Sequence, residues 1–586
     1  MRYFLSPKNA TAHLFGVVLE IDVPDPAGQR LELPAWIPGS YMIRDFARHV
    51  ITVQASGAEG EVTIEKIDKQ TWRCAPARGP LRVSYEVYAW DASVRAAALD
   101  ADGGFCNGTS VFMRPHNQVD GPYEVFLERA TCPSDWRAMT SMPAVAVDQS
   151  GFGRYRAANY DELIDHPVRF GECTIFHFTA AGVPHWVVLP GAPRVNGERL
   201  CKDLATVCQH HTSLFGELPT EQYVFFMHPV SQGYGGLEHR ASTVLDVARS
   251  SLPLPGDSPE RESYQELLGL CSHEYFHLWN VKRIRPAVFT DPDLSREVHT
   301  TLLWAFEGIT SYYDDLALCR SGLLPPDDWL RRLARTITRV HRGTGRLRQT
   351  LAESSFDAWT RFYKADENAP NAIVSYYAKG ALAALALDLT LRLGTQGACS
   401  LDDIMRALWQ RYGRTGEGVP EDGIERLVTE LSGLDLEPFF ETALRSTRDL
   451  DLSELLRSFG IDLTWHPPEP NGEYSPHLGA MFREDGRFAR LQQVFDGRAA
   501  QRAGLASGDL LLAIDETHLP AATLGAWLKR LPTTQPLTAH VLRGDRLRVL
   551  SVTLDEAPEE ECQLRWSSVP VPGAQARRRD WLGEIV

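Results

Sequence analysis

"SHEYFHLWN", Ser272–Asn280, sets two histidines four positions apart with a glutamate next to the first. On a helix, positions i and i+4 lie on one face a turn apart, so His273 and His277 would offer two imidazoles to one cation. Glu274 would stand beside that cation without being aimed at it, which suits a carboxylate that takes a proton from metal-activated water. The surrounding "YQELLGLCSHEYFHLWNVKRI" reads as a helix with an apolar side, the context this spacing requires.

A catalytic zinc needs a third protein ligand and one open position. The candidate is Glu307 in "TTLLWAFEGITSYYDDLAL", where its neighbours Leu302, Leu303, Trp304, Phe306 and Ile309 are all apolar. A lone carboxylate in such a run is costly to bury unless a cation pairs with it. A solvent-facing helix edge is the alternative.

Bulk properties bound the rest. A chain of 586 residues exceeds a single core, so several domains are expected. Hydrophobic content of 44% and charged content of 23% describe an ordinary globular protein. A net charge of −16 argues against nucleic acid or an anionic membrane surface as partner. No long apolar run suggests a membrane span, and the N-terminal stretch does not read as a signal peptide. The ten cysteines are scattered without a CxxC pair, so reduced thiols and a cytoplasmic location are expected.

From Phe15 to about Tyr160 the pattern is short and β-like, as in "FGVVLEIDV" and "LRVSYEVYAW". After Cys173, "HWVVLPG" and "QYVFFMHPV" read as strands, with "KDLATVCQHHTSLFG" a helix between them. Helical periodicity dominates from Ser263 to about Ala334 and returns through "YYAKGALAALALDLTLRL" and Leu401–Ser458. "HPPEPNGEYSP" (His466–Pro476) is a linker by composition, and short strands with one helix follow it.

"HEYFHLWNVKRIRP" with "LLWAFEGITSYY" resembles the glycyl aminopeptidase family, a branch of the gluzincin zinc metallopeptidases related to aminopeptidase N. Glu307 in "WAFEG" matches the family's third metal ligand, although the gap from His277 is longer than in aminopeptidase N. "GYGGLEHRAST" (Gly233–Thr243) resembles the segment whose glutamate binds the substrate α-amine. That implies an amine-binding role for Glu238, with Gly235 and Gly236 letting a substrate strand come close, and His239 stands where those relatives have Asn. "VSYYAKG" resembles the segment whose tyrosine stabilises the oxyanion; alignment on Lys379 and Gly380 gives Tyr377, and one slip of register would give Tyr376.

"PAWIPGSYMIRDFARHV" and "GFCNGTSVFMRP" also look like this family's N-terminal β-domain, with Arg44 and Asp45 read as a structural pair. "AAQRAGLASGDLLLAID", including Asp509, resembles a bacterial PDZ domain. There "HLGAMF" (His477–Phe482) would accept a peptide C-terminus by strand addition beside a helix over about Leu524–Leu531. The terminal "WLGEIV" resembles the tails such grooves bind, so Val586 is a candidate occupant; a separately docked tail anchored by Trp581 is the alternative.

The expected architecture is multidomain α+β. It comprises an N-terminal all-β domain over 1–170, a thermolysin-like α+β catalytic domain over 171–390, a helical domain over 391–465, a C-terminal PDZ domain over 466–560 and a tail over 561–586. The resemblance implies a zinc aminopeptidase with one Zn2+ per chain, acting on peptides with a free N-terminus and favouring Gly or Ala. A metalloendopeptidase with Glu238 solvated, or a catalytically silent peptide-binding PDZ scaffold, remain the rivals. The intact set His273, Glu274, His277, Glu307 and Tyr377 speaks against silence.

Overall fold

A computed structural model describes residues 1–258 and 261–583. The chain divides into two units, one holding 1–298, 313–323 and 405–420, the other 299–312, 324–404 and the chain from Glu421 onward.

The first unit begins as the strand-rich region expected. In Leu14–Ile21 every second residue is buried, as the period of a one-sided strand demands. Arg2–Asn9 and Leu81–Tyr88 flank it with the same alternation in an eight-stranded sheet. Two four-stranded sheets accompany it, and Tyr3, Phe15, Val17, Phe105 and Phe170 share its core. Arg44, expected to pair with Asp45, donates to Ser40 Oγ (2.6 Å), and Asp45 pairs with Lys69 (2.7 Å). Asp45 has a left-handed backbone (φ 51°), which turns the chain at that point.

A five-stranded sheet follows in the same unit. Val183–Pro190, Tyr223–Val230 and Ser242–Ala248 run parallel, and the helix Gly197–Phe215 makes the crossover that parallel neighbours require. Asn196 caps that helix through the Arg199 amide, and Gly216 ends it at φ 84°. Tyr234–Glu238 lies antiparallel at the outer edge, and the helix Glu262–Phe276 packs on it.

In the second unit the helical periodicity resolves into Pro326–Arg342, Ala378–Gly394, Gly423–Ser432 and Leu452–Ser458. The run around Glu307 forms a π-helical turn, Trp304–Ile309, buried throughout. It crosses the helix Ala378–Gly394 at two glycines. A Cβ on Gly380 would stand 2.9 Å from Gly308 Cα, and one on Gly308 would meet the Gly380 backbone. The glycines of "WAFEG" and "YAKG" therefore serve each other, letting two backbones touch.

Ile461–His466 pairs with Glu561–Trp566, so the residues between them form a module whose two ends meet. It is a six-stranded sheet from Tyr474 to Thr553 in sequential order, with the helix Ala521–Leu528 packed on it. Asp509, fully buried, accepts from Arg543 Nε and Nη2 (both 2.8 Å) and from the Ala506 amide (2.9 Å). The strand Ala480–Asp485, expected to offer an open edge to a peptide, has the first part of that edge taken by the chain itself. Tyr474 and Ser475 pair with Met481 and Ala480, and the Phe482 amide donates to Glu473 O (2.7 Å). Gly525 on the flanking helix packs against Pro470, Asn471 and Tyr474. The expected linker thus occupies part of the expected groove, where its free backbone groups satisfy the adjacent sheet edge. Val586, the expected tail occupant, lies outside the described residues.

The stretch after Glu561, expected as a tail, carries that strand and the helix Ala574–Leu582. Trp581 is fully buried, between Trp329 and Phe459. Its Nε1 donates to the Tyr312 hydroxyl (2.7 Å), which donates to Asp388 Oδ2 (2.6 Å), itself paired with Arg392. Trp581→Ala is expected to cost about 3–5 kcal/mol of stability, measured by denaturant unfolding of the full chain. A loss under about 0.5 kcal/mol would mean that this helix is not docked. Among the described residues no helix is long and apolar enough to cross a membrane, and the ten cysteines are free thiols.

Candidate active site

His273 and Glu274 sit in the last turn of the helix Glu262–Phe276, and His277 is its C-cap, with an amide that donates back to His273 O (3.3 Å). The helix therefore ends inside the motif rather than running through it. The two imidazole centroids are 4.7 Å apart. His273 Nδ1 meets Asp314 Oδ2 (3.2 Å) and His277 Nδ1 meets Asn280 O (2.7 Å). With each Nδ1 so engaged, the opposite nitrogen is the one directed to a metal, and the ring is held in orientation.

Ser272 extends this support. Its hydroxyl donates to Asp314 O (2.9 Å) and contacts His211 Nε2 (2.8 Å). Burial holds the His211 imidazole well below its usual range, so it is neutral and donates to that hydroxyl. Asp314 went unnoticed in the sequence; its only signal was an acidic pair inside the apolar run "SYYDDLAL".

Among the described residues, Glu238, Glu274 and His277 offer ligand atoms within 4.8 Å of one another. Glu238, Glu274, His277 and Glu307 are all buried.

Glu238 closes the edge strand Tyr234–Glu238. Its Oε1 is buried and has no hydrogen-bond partner among the described residues. Asp165 fixes the chain just beyond, accepting from the Arg240 amide (2.7 Å), contacting His239 Nδ1 (3.3 Å) and pairing with Lys282 (2.6 Å). Burial alone would raise the Asp165 carboxyl, but Lys282, His239 and Arg240 hold it well below the usual range.

The glycines of this strand differ. Gly235 faces open space, whereas a Cβ on Gly236 would collide with the Glu274 carboxylate. What lies against Gly236 is thus the chain's own glutamate. Two contacts come from the N-terminal β region, where the sequence showed no chemistry. Arg95 donates to Gly236 O (3.4 Å), and Gly39 (φ 100°) lies directly on the Glu238 carboxylate. Gly39→Ala would force a side chain into a left-handed position and into that carboxylate, and is expected to cost about 1–3 kcal/mol. Denaturant unfolding measures this; a change under about 0.5 kcal/mol would show that the loop moves aside. Beside Glu238, Trp36, Gly39, Tyr41 and Phe289 border a cavity of ≈ 40 Å³, with Tyr41 and Phe289 stacked at 5.6 Å.

In the second unit, Tyr376 is fully buried, and Tyr377 is only partly so. Their rings stack at 4.6 Å. Burial, and next the charge of Glu307, push the Tyr377 hydroxyl well above its ordinary value. It stays protonated as a donor.

Two family models match the chain: the peptidase M61 N-terminal domain over residues 2–172 and the M61 glycyl aminopeptidase model over 266–383. The crystal structure of an aminopeptidase N family protein from Idiomarina loihiensis is similar over 99% of each chain, at 37% identity and a TM-score of 0.95. An M1 zinc metallopeptidase from Deinococcus radiodurans aligns at 16% identity over 77% of this chain and 94% of its own, with a TM-score of 0.48. A search of curated proteins returned no match.

Proposed function

Since this chain belongs to the M61 glycyl aminopeptidase family, we propose that it is a zinc-dependent aminopeptidase that hydrolyses the N-terminal peptide bond of peptides and favours small residues such as Gly and Ala. The observation that carries this reading is the pair His273 and His277, with ring centroids 4.7 Å apart and each Nδ1 held by another partner, to which Glu307 would add the third ligand. Two imidazoles and a carboxylate are a donor set of catalytic zinc, and both Nδ1 atoms are already occupied by other partners. One zinc per chain, when bound by these three residues, supplies Lewis acidity to a water and to the scissile carbonyl.

The remaining steps belong to side chains of this protein. Glu274 takes the proton of the attacking water on its carboxylate and delivers it to the leaving amine. Tyr377 donates its hydroxyl hydrogen to the carbonyl oxygen as that oxygen gains charge. Glu238, whose buried Oε1 has no hydrogen-bond partner among the described residues, pairs with the substrate ammonium and sets the first peptide bond in place. The substrate backbone adds to the edge strand Tyr234–Glu238 at Gly235, where space is open.

A panel of aminoacyl chromogenic amides, assayed with and without chelator, tests the reading. Glycyl and alanyl substrates are expected to be fastest, with activity lost on chelation and restored by zinc. Equal cleavage of free and N-acetylated peptides would make the protein an endopeptidase. A metal-free protein without turnover would leave only a scaffold.

A further inference from the structure

The strand Tyr234–Glu238 ends a five-stranded sheet, so one side of its backbone pairs with Ser242–Ala248 and the other faces outward. Antiparallel pairing alternates: a residue that exchanges both backbone bonds with its partner is followed by one that turns its N–H and C=O away. The phase is set at the hairpin, where the His239 amide donates to Ser242 O (2.9 Å). Counting back along the register, Leu237 and Gly235 bond inward, while Glu238, Gly236 and Tyr234 turn their backbone groups to the open edge. The Arg95 side chain agrees with this phase, since it reaches Gly236 O (3.4 Å).

Side chains alternate as well, so Tyr234, Gly236 and Glu238 share one face of the strand and Gly235 and Leu237 the other. The first face is the one turned to Glu274. A Cβ on Gly236 would collide with the Glu274 carboxylate, and Glu238 and Glu274 offer ligand atoms within 4.8 Å of each other. Tyr234 stands on the far side of Gly236 from Glu238, about 6–7 Å along the strand from that glycine. It is 68% exposed. A ring that packs so little against its own chain has a face to offer a ligand.

On the aminopeptidase reading, on which this inference rests, Glu238 holds the substrate ammonium and Glu274 acts on the first peptide bond beside Gly236. Glu238 is the last residue of the strand, so an extended peptide held there by its N-terminus runs antiparallel to it. Its first residue then lies opposite Gly236, its second opposite Gly235 and its third opposite Tyr234. Directly opposed residues of an antiparallel pair put their side chains on the same face, with Cβ atoms about 4.5–5.5 Å apart.

We infer that Tyr234 determines specificity at the third residue of the peptide, favouring an aromatic or large aliphatic side chain that packs on its ring. Gly235 imposes no such choice on the second residue, because a Cβ there would have nothing within 4 Å.

The test compares Ala-Ala-Phe-amide, its isomer Ala-Phe-Ala-amide and Ala-Ala-Ala-amide, with initial loss of the intact peptide followed by chromatography. The wild type is expected to show a kcat/KM about threefold to tenfold higher for Ala-Ala-Phe-amide than for the other two, the range of one cross-strand aromatic contact. In Tyr234→Ala that preference vanishes, with the change carried by KM, and Tyr234→Phe keeps it. Each ratio is taken within one variant, so a general loss of folding or turnover cancels. Equal wild-type rates for Ala-Ala-Phe-amide and Ala-Ala-Ala-amide would overturn the inference and leave the aminopeptidase standing. So would an equal gain from phenylalanine at the second position, or a preference that survives Tyr234→Ala. If the zinc-loaded wild type removes alanine from none of the three, the aminopeptidase reading falls, and this inference falls with it.

Discussion

Glu274→Gln keeps the fold and the zinc content of the protein and lowers kcat by about 10²–10⁴-fold, the usual contribution of a general base. The substitution is nearly isosteric, which matters here because the carboxylate fills the space left by the missing side chain of Gly236. A shorter residue would open a void, and a bulkier one would press on the strand Tyr234–Glu238. Glutamine retains the volume but cannot hold the water's proton. Zinc content by atomic absorption and kcat on an alanyl amide read the two effects separately. A variant that loses zinc would point to Glu274 as a ligand. One that retains more than about a tenth of wild-type kcat would show that another group takes the proton.

The residues legible in the sequence were those whose chemistry clashes with their local pattern. Two histidines at helical spacing and one carboxylate in an apolar run each break a periodicity, and a broken period marks a site more clearly than a preserved one. Local elements were legible too, since the alternation in Leu14–Ile21 and the capped run Gly197–Phe215 encode strand and helix in their own residues. What was hidden depends on contacts between distant segments. Gly39 reads as a turn glycine until the Glu238 carboxylate is found against it. Asp314 reads as a surface acid until His273 meets it.

The C-terminal module shows the same limit. Its strands and single helix were expected from composition, yet nothing local in "PEPNGEYS" signals that this stretch lies on the edge of the strand Ala480–Asp485. A Pro/Gly-rich segment reads as a linker because it has no periodicity of its own. Its structure is supplied by the edge it satisfies.

Glu238→Ala is expected to lower kcat/KM on substrates with a free N-terminus by about 30-fold to several thousand-fold, the equivalent of about 2–5 kcal/mol for losing one partner of a buried charge pair. Residual cleavage of N-acetylated peptides should change little, because they carry no ammonium to lose. The competing explanation is that Glu238 is a strut whose removal disturbs the strand. The two differ in stability. A strut would be tied by hydrogen bonds, and its loss would lower the unfolding midpoint. The Glu238 Oε1 has no such bond among the described residues, and Glu274 offers a ligand atom within 4.8 Å of it, so two carboxylates stand close enough to repel when both are ionised. Removing one of them should leave the protein as stable as before or more so, as is common when a residue kept for function is neutralised. Glu238→Gln separates charge from shape, and its kcat/KM should fall between the wild type and alanine. A lowered unfolding midpoint in both variants, with free and acetylated peptides losing rate in parallel, would return Glu238 to a structural role and remove the basis for an exopeptidase.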